Sequence, residues 1–500
     1  MGSLKFVNKN FLKIKTRFQD SRVFISTAIN RLHPIKIELD KDLEDKLLKE
    51  ELKPKKHYGV NKVPISKLPD RIMDSMKKVV GDYSIKQLIE SGQVLNRYLF
   101  ARKAPLENET IKEKVKEFAE IIENDPKKFK LPEVPPDPKN EILSKHYMEM
   151  KRNRIDQLLR QRVYAWQAVN YNDYQSLLYL FGRAPQEYAS LIRIFNEIKR
   201  RDPNFKPTSF FDFGSGVGTG VWAVSEFWGS SIYEYYLIDA SKSMSDLSDL
   251  ILRDGSLNKP TMVRNVYQRQ FLPSRNIKYN IVLSSYSMFE QPTLINRLEI
   301  ANNLWNKTQD YLIFVENGSN SGFKLLCEIR DFLIDLKGKT NEDAFIFSPC
   351  PHESECPRFT LNDGTPCNFE VRYNTLPFSG TQKILSHLYS YLVIKKGKSE
   401  ANSDKWPRIV RPTIVRSKHT MCHLCTKEGE IQNIIITESK HGRPTYRCAK
   451  HSNWGDQFPI NKMEHYEKPN LRLKSFIEKI KNKHNGETEN NIDEENKTSQ

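Results

Sequence analysis

Seven cysteines are the residues of this chain best suited to do chemistry, and six of them lie between positions 350 and 448. These six are Cys350, Cys356, Cys367, Cys422, Cys425 and Cys448. Clustering of this kind in an intracellular protein favours metal binding over disulfides. The seventh, Cys327, stands apart on a predicted helix, where we expect a buried, small hydrophobic residue.

Two ligand sets are compatible with the cysteine spacing. Cys422-His-Leu-Cys425 together with Cys448 and His451 has the form C-x₂-C…C-x₂-H, which suits a tetrahedral zinc site. That choice leaves the three upstream cysteines one ligand short. The alternative joins those three to one thiolate of the Cys422/Cys425 pair, which gives the four sulfurs of a cubane iron–sulfur cluster. The spacing alone leaves both possibilities open.

A glycine run at residues 212–220, DFGSGVGTG, predicts a backbone turn that approaches a ligand closely. It follows an apolar segment at 209–211 and precedes a helical pattern at 221–228, so it joins a strand to a helix. Glycine allows turns and close approaches that a Cβ atom would block. The spacing is an acid followed by G-x-G-x-G, which differs from the dinucleotide fingerprint G-x-G-x-x-G.

This run resembles motif I of the class I S-adenosylmethionine (SAM) methyltransferases. The resemblance implies that the loop, with Gly214, Gly216 and Gly218, wraps the methionine part of SAM and that Asp212 faces its amino group. A second acid, Asp239, follows the apolar segment 235–238, where the resemblance implies a hydrogen bond to the ribose. Taken alone, Asp239 is as compatible with a helix cap ahead of residues 241–242.

The elements that must position these residues alternate between strand and helix from residue 209 onward. Apolar runs predict strands at 279–283 and 310–315, a helix at 323–336, and a closing antiparallel pair at 368–373 and 387–395. This order predicts an α/β fold with a parallel, doubly wound sheet and its ligand at the carboxyl ends of the strands. The expected architecture is a class I SAM-methyltransferase, Rossmann-like sheet with a helical amino-terminal region and a Cys-rich, metal-binding carboxy-terminal segment.

The amino-terminal part reads as helical, with a proline-rich break at 131–138 between helical patterns at 84–122 and 141–200. Residues 37–75 are charged and predict a linker or a peripheral extension. The predicted division is a transit peptide at 1–36, an amino-terminal helical extension at 37–150, a methyltransferase-like domain at 151–397 with a Cys-rich insertion at about 348–367, a Cys-rich segment at 398–466 and a disordered tail at 467–500.

Charge indicates the class of partner. The 500 residues carry a net charge of +17, which suits RNA, because released counterions drive such binding; an evenly spread solubility charge is the alternative. The first 36 residues hold eight Lys or Arg and the single acid Asp20, which is typical of a mitochondrial transit peptide, with a basic RNA-binding arm as the competing interpretation. No apolar run approaches the roughly 20 residues of a membrane helix, so membrane insertion is not expected.

Four motifs together resemble the methyltransferase-like protein 17 family, the mitochondrial Rsm-type assembly factors of the small ribosomal subunit. They are DFGSGVGTG, the CPHESECP box at 350–357, CHLC at 422–425, and the residues from His441 to Asp456. The resemblance covers roughly residues 150–465. It implies a [4Fe-4S] cluster on Cys350, Cys356, Cys367 and Cys425, and a monomer in the mitochondrial matrix that docks on small-subunit rRNA and ribosomal proteins of the maturing subunit. Cys422 and Cys448 would be spare, or would form a second site with His451.

The sequence shows no catalytic motif to accompany the predicted cofactor loop. Base methyltransferases often carry Asn/Asp-Pro-Pro-aromatic or catalytic cysteines after the fourth strand, where this chain has residues 284–287, Ser-Ser-Tyr-Ser, followed by Glu290 and Gln291. We therefore expect an rRNA-binding assembly factor in which SAM is a structural ligand. An active SAM-dependent rRNA methyltransferase is the alternative, and a zinc-ribbon nucleic-acid protein outside mitochondria is a third, weaker one.

Overall fold

The structure is a computed structural model that describes residues 35–465, apart from 106, 133–135, 138, 163–168, 274, 276, 379, 381 and 400–404. Residues 37–463 form one compact unit. A second unit consists of both chain ends, of which only residues 35, 36, 464 and 465 are described. The predicted disordered tail, and all but the last two residues of the predicted transit peptide, therefore lie outside the described residues. Within the described part, no helix is long and apolar enough to cross a membrane.

Helices dominate the amino-terminal part and flank the strands that follow. The helices are α1 Lys41–Leu48, α2 Asp70–Lys78, α3 Ile85–Ala101, α4 Asn108–Asn124, α5 Glu141–Arg162, α6 Asp173–Gly182, α7 Ala184–Arg201, α8 Thr219–Trp228, α9 Lys242–Leu252, α10 Leu294–Lys307, α11 Asn320–Thr340, α12 Pro357–Leu361, α13 Glu438–His441 and α14 Arg443–His451. The proline-rich break falls between α4 and α5, as predicted.

Three sheets are built from the strands of the described residues. The strands are β1 Ile35–Leu39, β2 Ser209–Phe213, β3 Glu234–Ile238, β4 Val266–Arg269, β5 Tyr279–Ser285, β6 Thr308–Asn317, β7 Ala344–Ser348, β8 Phe369–Asn374, β9 Ile384–Lys396, β10 Arg408–Ile409, β11 Ile414–Val415, β12 His419–Cys425, β13 Ile431–Thr437 and β14 Ile460–His465. β1 pairs with β14, and β12 pairs with β10, β11 and β13 in a small antiparallel sheet.

The largest sheet has the order β4-β3-β2-β5-β6-β9-β7, with β8 also paired to β9. Its first five strands are parallel, whereas β9 runs antiparallel to β6, β7 and β8. The α/β class and the closing antiparallel pair, β8 and β9, are thus as predicted. The strand order reverses next to β2, where a ligand crevice is expected at the carboxyl ends.

Helices cover both faces of this sheet. Neighbouring residues of a strand point to opposite faces, so both sets of strand side chains are buried. Phe210 packs into one apolar core and the adjacent Phe211 into the other, and both are fully buried. Strands buried on both faces read as continuous apolar runs, which explains why the sequence predicted them well.

The prediction of a linker or peripheral extension at 37–75 is wrong. Ile72 and Met76 of α2 are buried in the main core, and the backbone N–H of Asn61 donates to the Asp456 carboxylate at 3.0 Å. His57 Nε2 lies 2.8 Å from the Ser452 hydroxyl. The apolar residues of this segment are sparse among its lysines, so the sequence shows no clear periodicity there. They pack against residues that are distant in the chain.

Candidate cofactor loop and cysteine cluster

The glycine run forms a tight loop between β2 and α8. Gly214, Gly216 and Gly218 have φ values of +70°, +52° and +93°, a left-handed conformation that favours glycine. The N–H groups of Gly214 and Ser215 both donate to the carbonyl of Ile238, at 2.7 and 2.9 Å. The loop is therefore tied to the end of β3.

One side of the loop is closely packed and another is open. A Cβ atom on Gly214 would lie 2.3 Å from Cβ of Ser287, and one on Gly220 would lie 2.2 Å from Oδ2 of Asp212. At Gly216 the nearest neighbour would be the Tyr179 ring at 4.0 Å. The loop thus leaves space for a ligand beside Gly216.

Asp212 is 1 % exposed, and neither of its carboxylate oxygens has a hydrogen-bond partner among the described residues. Burial, followed by the nearby acids Asp239 and Glu187, raises its pKa well above the ordinary value. A buried carboxyl group without a partner costs free energy, which a ligand bearing N–H donors would offset. This feature fits the ammonium group that the SAM resemblance assigns to Asp212.

Asp239 links the glycine loop to the next helix. Its Oδ2 accepts the N–H of Gly216 at 2.8 Å, and its Oδ1 accepts the N–H of Ser241, which caps α9, at 2.8 Å. Burial raises the pKa of Asp239, and these two N–H groups oppose the shift. The predicted cofactor-binding residues therefore lie together at one edge of the sheet.

The hydroxyl groups at the carboxy-terminal end of β5 and just after it, where a catalytic motif would be expected, are engaged inside the protein. Ser284 and Ser287 hydroxyls are 2.7 Å apart, and Ser287 also donates to the Phe213 carbonyl at 3.0 Å. The Tyr286 hydroxyl lies 3.0 Å from both Ser190 and His387. These bonds hold the floor of the loop in place.

Four cysteines from separate segments lie near one another. Cys350 follows β7, Cys356 caps α12, Cys367 precedes β8, and Cys425 ends β12. Burial raises the pKa of the Cys425 thiol, and the thiols of the other three raise it further. All four are at least partly buried. The four cysteines predicted as cluster ligands thus share one neighbourhood, which we call the cysteine cluster.

Positive groups and N–H donors favour thiolate character in part of the cysteine cluster. A hydrogen bond from Cys327, together with the N–H groups of Phe359 and Arg358, lowers the pKa of Cys356 to about 6 against the opposing effect of burial. Arg330 donates to the carbonyls of His352 and Ser354, at 3.2 and 2.7 Å, and its charge acts in the same direction. Cys327 is buried, as expected, but it contacts the cluster rather than standing apart.

Among the described residues, no three His, Cys, Asp or Glu side chains are arranged to hold a metal ion as they stand. The zinc set of Cys422, Cys425, Cys448 and His451 has the weaker support. Cys422 and Cys425 lie on one regular strand, β12, so side chains three positions apart point to opposite faces. Burial raises the pKa of both Cys422 and Cys448 to about 12, and no other thiol contributes to either shift.

Comparison with known proteins shows the family of this chain. The family described as mitochondrial small ribosomal subunit Rsm22 matches residues 173–459. The human mitochondrial ribosome assembly protein METTL17 is 34 % identical over 410 residues, which span 81 % of this chain and 86 % of METTL17. This chain belongs to the Rsm22 family. The Saccharomyces cerevisiae mitochondrial ribosome assembly protein RSM22 is 19 % identical over 408 residues, covering 54 % of this chain and 65 % of that protein.

Two solved methyltransferase structures match this Rsm22-family chain at low TM-scores. The plantazolicin methyltransferase BpumL, bound to SAH, matches 49 % of this chain and 99 % of its own, at 15 % identity and a TM-score of 0.30. The methyltransferase domain of bacterial CtHen1 matches 42 % of this chain and 99 % of its own, at 12 % identity and a TM-score of 0.27.

The sequence did not predict the charged groups that surround the loop in this family member. Glu187 is buried on α7, where its Oε1 accepts the Tyr179 hydroxyl at 2.6 Å and Nε of Arg183 at 2.9 Å. Arg102, just after α3, pairs with Glu290. No local signal distinguishes these charges from those of a solvated helix face, because their partners are distant in the chain.

Proposed function

We propose that this chain is an assembly factor of the mitochondrial small ribosomal subunit that acts in the matrix by docking on small-subunit rRNA and its ribosomal proteins. Membership of the Rsm22 family and the extended match to METTL17 support this assignment. The net charge of +17 supports an RNA partner. We expect the chain to bind the maturing subunit as a monomer.

The cysteine cluster is proposed to hold a [4Fe-4S] cluster through Cys350, Cys356, Cys367 and Cys425. The observation that carries this proposal is the convergence of four thiols from separate segments in one buried neighbourhood. When bound, such a cluster supplies four iron–thiolate bonds that link these segments. Arg330 would balance part of the thiolate charge, because it lies beside Cys350 and Cys356.

The glycine loop is proposed to hold SAM as a structural ligand, with Asp212 on its ammonium group and Asp239 on its ribose. The unpartnered carboxylate of Asp212 and the open space beside Gly216 support this assignment. The same features favour the second candidate, an active SAM-dependent rRNA methyltransferase. The internal hydrogen bonds of Ser284, Tyr286 and Ser287 favour the first.

The test compares Cys350→Ser with Cys448→Ser, a buried cysteine outside the cluster, and with Asp212→Ala. After anaerobic purification, we expect the wild type and Cys448→Ser to contain about four irons per chain with iron–sulfur visible absorption, and Cys350→Ser to lose both. In cells that lack the endogenous protein, Cys350→Ser should fail to restore small-subunit assembly, whereas Asp212→Ala should restore most of it.

Other outcomes assign the alternatives. A colourless wild type with about one zinc would overturn the iron–sulfur assignment and return attention to Cys422, Cys425 and Cys448. If Asp212→Ala is folded and yet as defective in assembly as Cys350→Ser, the methyltransferase function is favoured over the structural one.

A further inference from the structure

A cavity of about 670 Å³ lies away from the glycine loop, between the segment 55–62, the carboxy-terminal end of α7, and residues Trp406 and Gln457. Five of its lining residues are cationic and none is acidic. The cationic residues are Lys55, Lys56, Lys62, Arg200 and Arg201. We call this the basic cavity. Arg201 pairs with the buried Glu197 at 2.9 Å, so the other four cations set the positive field of this concave site, whose walls focus it toward anions.

The three lysines of the basic cavity are not neutralised by the protein. Lys55, Lys56 and Lys62 are exposed, and none forms an ion pair or a side-chain hydrogen bond with another described residue. Lys46, nearby in the chain, does have an acidic partner, since it bonds Asp42 at 2.8 Å. The lysine ammonium groups therefore remain available to a ligand.

Arg200 is short of acceptors in the same place. One of its nitrogens donates to the carbonyl of Tyr58, but Nε and Nη2 are buried without a partner in the described part of the chain. Burial lowers the pKa of Arg200, and the neighbouring Arg201 and Arg408 lower it further, while Glu197 opposes the shift. An oxyanion reached by a small rotation of this flexible side chain would satisfy its unpaired donors.

The positive surface continues beyond the rim of the basic cavity. On α14, Arg447 and Lys450 are exposed. Burial lowers the pKa of His451, and the charges of Lys450, Lys55 and Arg447 lower it further, so these cations lie near one another. Tyr58 lies at the rim and is 38 % exposed. A run of cations with an exposed aromatic ring matches a chain of regularly spaced phosphates better than one isolated anion.

We propose that the basic cavity binds backbone phosphates of RNA and is a point at which this chain docks on small-subunit rRNA. The proposal rests on the proposed function, because it names the surface through which that function contacts RNA. Phosphate contacts fix the position of a protein on its RNA without reading sequence. Removal of these phosphate contacts should therefore weaken the affinity for rRNA and for a scrambled RNA of equal length by the same factor.

The test uses the full chain with its metal content intact and an in vitro transcribed fragment of small-subunit rRNA. The variant combines Lys55→Ala, Lys56→Ala and Lys62→Ala. Its control combines Lys112→Ala, Lys116→Ala and Lys145→Ala, which remove the same charge from exposed positions on α4 and α5. We expect the cavity variant to bind RNA at least about tenfold more weakly, with a salt slope reduced by about 2, since each lost phosphate contact removes about 0.7. The control should stay within about twofold of the wild type.

Inorganic pyrophosphate, titrated calorimetrically, separates the two levels of the proposal. Equal losses of RNA affinity in the cavity variant and the control variant would overturn the basic cavity as a site. An unchanged RNA affinity in both variants would overturn it as well. If the wild type binds pyrophosphate through the three lysines but does not bind RNA, the anion site stands, while its RNA occupant and the rRNA-docking part of the proposed function are overturned. Circular dichroism checks that each variant is folded, which we expect because all six lysines are exposed.

Discussion

At the scale of single residues, Asp212 carries the clearest energetic signature. Folding raises its pKa, so the native state keeps its proton to a higher pH than the unfolded chain, whose Asp pKa is about 3.9. The unfolded state then binds fewer protons above that pH, and the free energy of unfolding falls as pH rises toward the native pKa. Asp212 is thus expected to destabilise the ligand-free protein at neutral pH.

We predict that Asp212→Asn removes this loss of stability at neutral pH. Urea unfolding at a series of pH values should show that the variant is more stable than the wild type near neutral pH and that the difference shrinks toward about pH 4. Asp246→Asn, at an exposed position of α9, serves as the control and should follow the wild type. Added SAM should raise the unfolding midpoint of the wild type more than that of Asp212→Asn. A variant that is less stable at every pH would contradict the argument.

At the scale of elements, α3 and α6 approach each other closely at two glycines. A Cβ atom on Gly92 would lie 2.6 Å from the carbonyl oxygen of Leu178 and 2.8 Å from the nitrogen of Gly182. These obstacles are backbone atoms, which cannot rotate away. The helical amino-terminal region is therefore joined to the residues before the sheet by a contact that only glycine permits.

We predict that Gly92→Ala destabilises the protein by about 1–3 kcal/mol, because the helices must separate. Gly338→Ala provides a matched control, since Gly338 is also helical and a Cβ there would meet nothing within 4 Å. That substitution should stabilise by up to about 1 kcal/mol through helix propensity. Thermal and urea unfolding measure both changes, and similar effects at the two sites would refute a steric role for Gly92.

At the scale of the whole molecule, Arg408 joins parts that the sequence separates. Its Nη2 donates to Glu197 of α7 at 2.8 Å, its Nε to the Pro349 carbonyl at 2.9 Å and its Nη1 to the Gly455 carbonyl at 2.9 Å. The side chain is fully buried, so these bonds lie in a medium where lost partners are costly. The small sheet, the segment before Cys350 and α7 are thereby held together.

We predict that Arg408→Met costs about 3 kcal/mol, because it removes one of the two arginines that pair with buried Glu197 and leaves two carbonyls without this donor. Arg416→Met, at an exposed position beside β11, should change stability by less than about 0.5 kcal/mol. Both are measured by urea unfolding monitored by fluorescence. A tolerant Arg408→Met variant would show that the small sheet is attached mainly by apolar contacts.

Elements and groups with local signals could be predicted from the amino-acid sequence. The glycine run required left-handed backbone at Gly214, Gly216 and Gly218, and the apolar runs defined the strands because both faces of the sheet are buried. Spacing also placed Asp212 and Asp239 at the carboxyl ends of neighbouring strands. These features depend on φ preferences and residue periodicity, which act over a few residues.

Contacts between groups that are distant in the chain became visible only in the folded protein. Folding packed Ile72 of the segment 37–75 into the core, set Glu187 beside Asp212, brought Cys327 to the cysteine cluster, and formed the basic cavity from segments far apart in the chain. Burial and the charges of neighbouring groups then set the pKa of each titratable group. Such effects depend on distances between segments, which local preference and spacing do not encode.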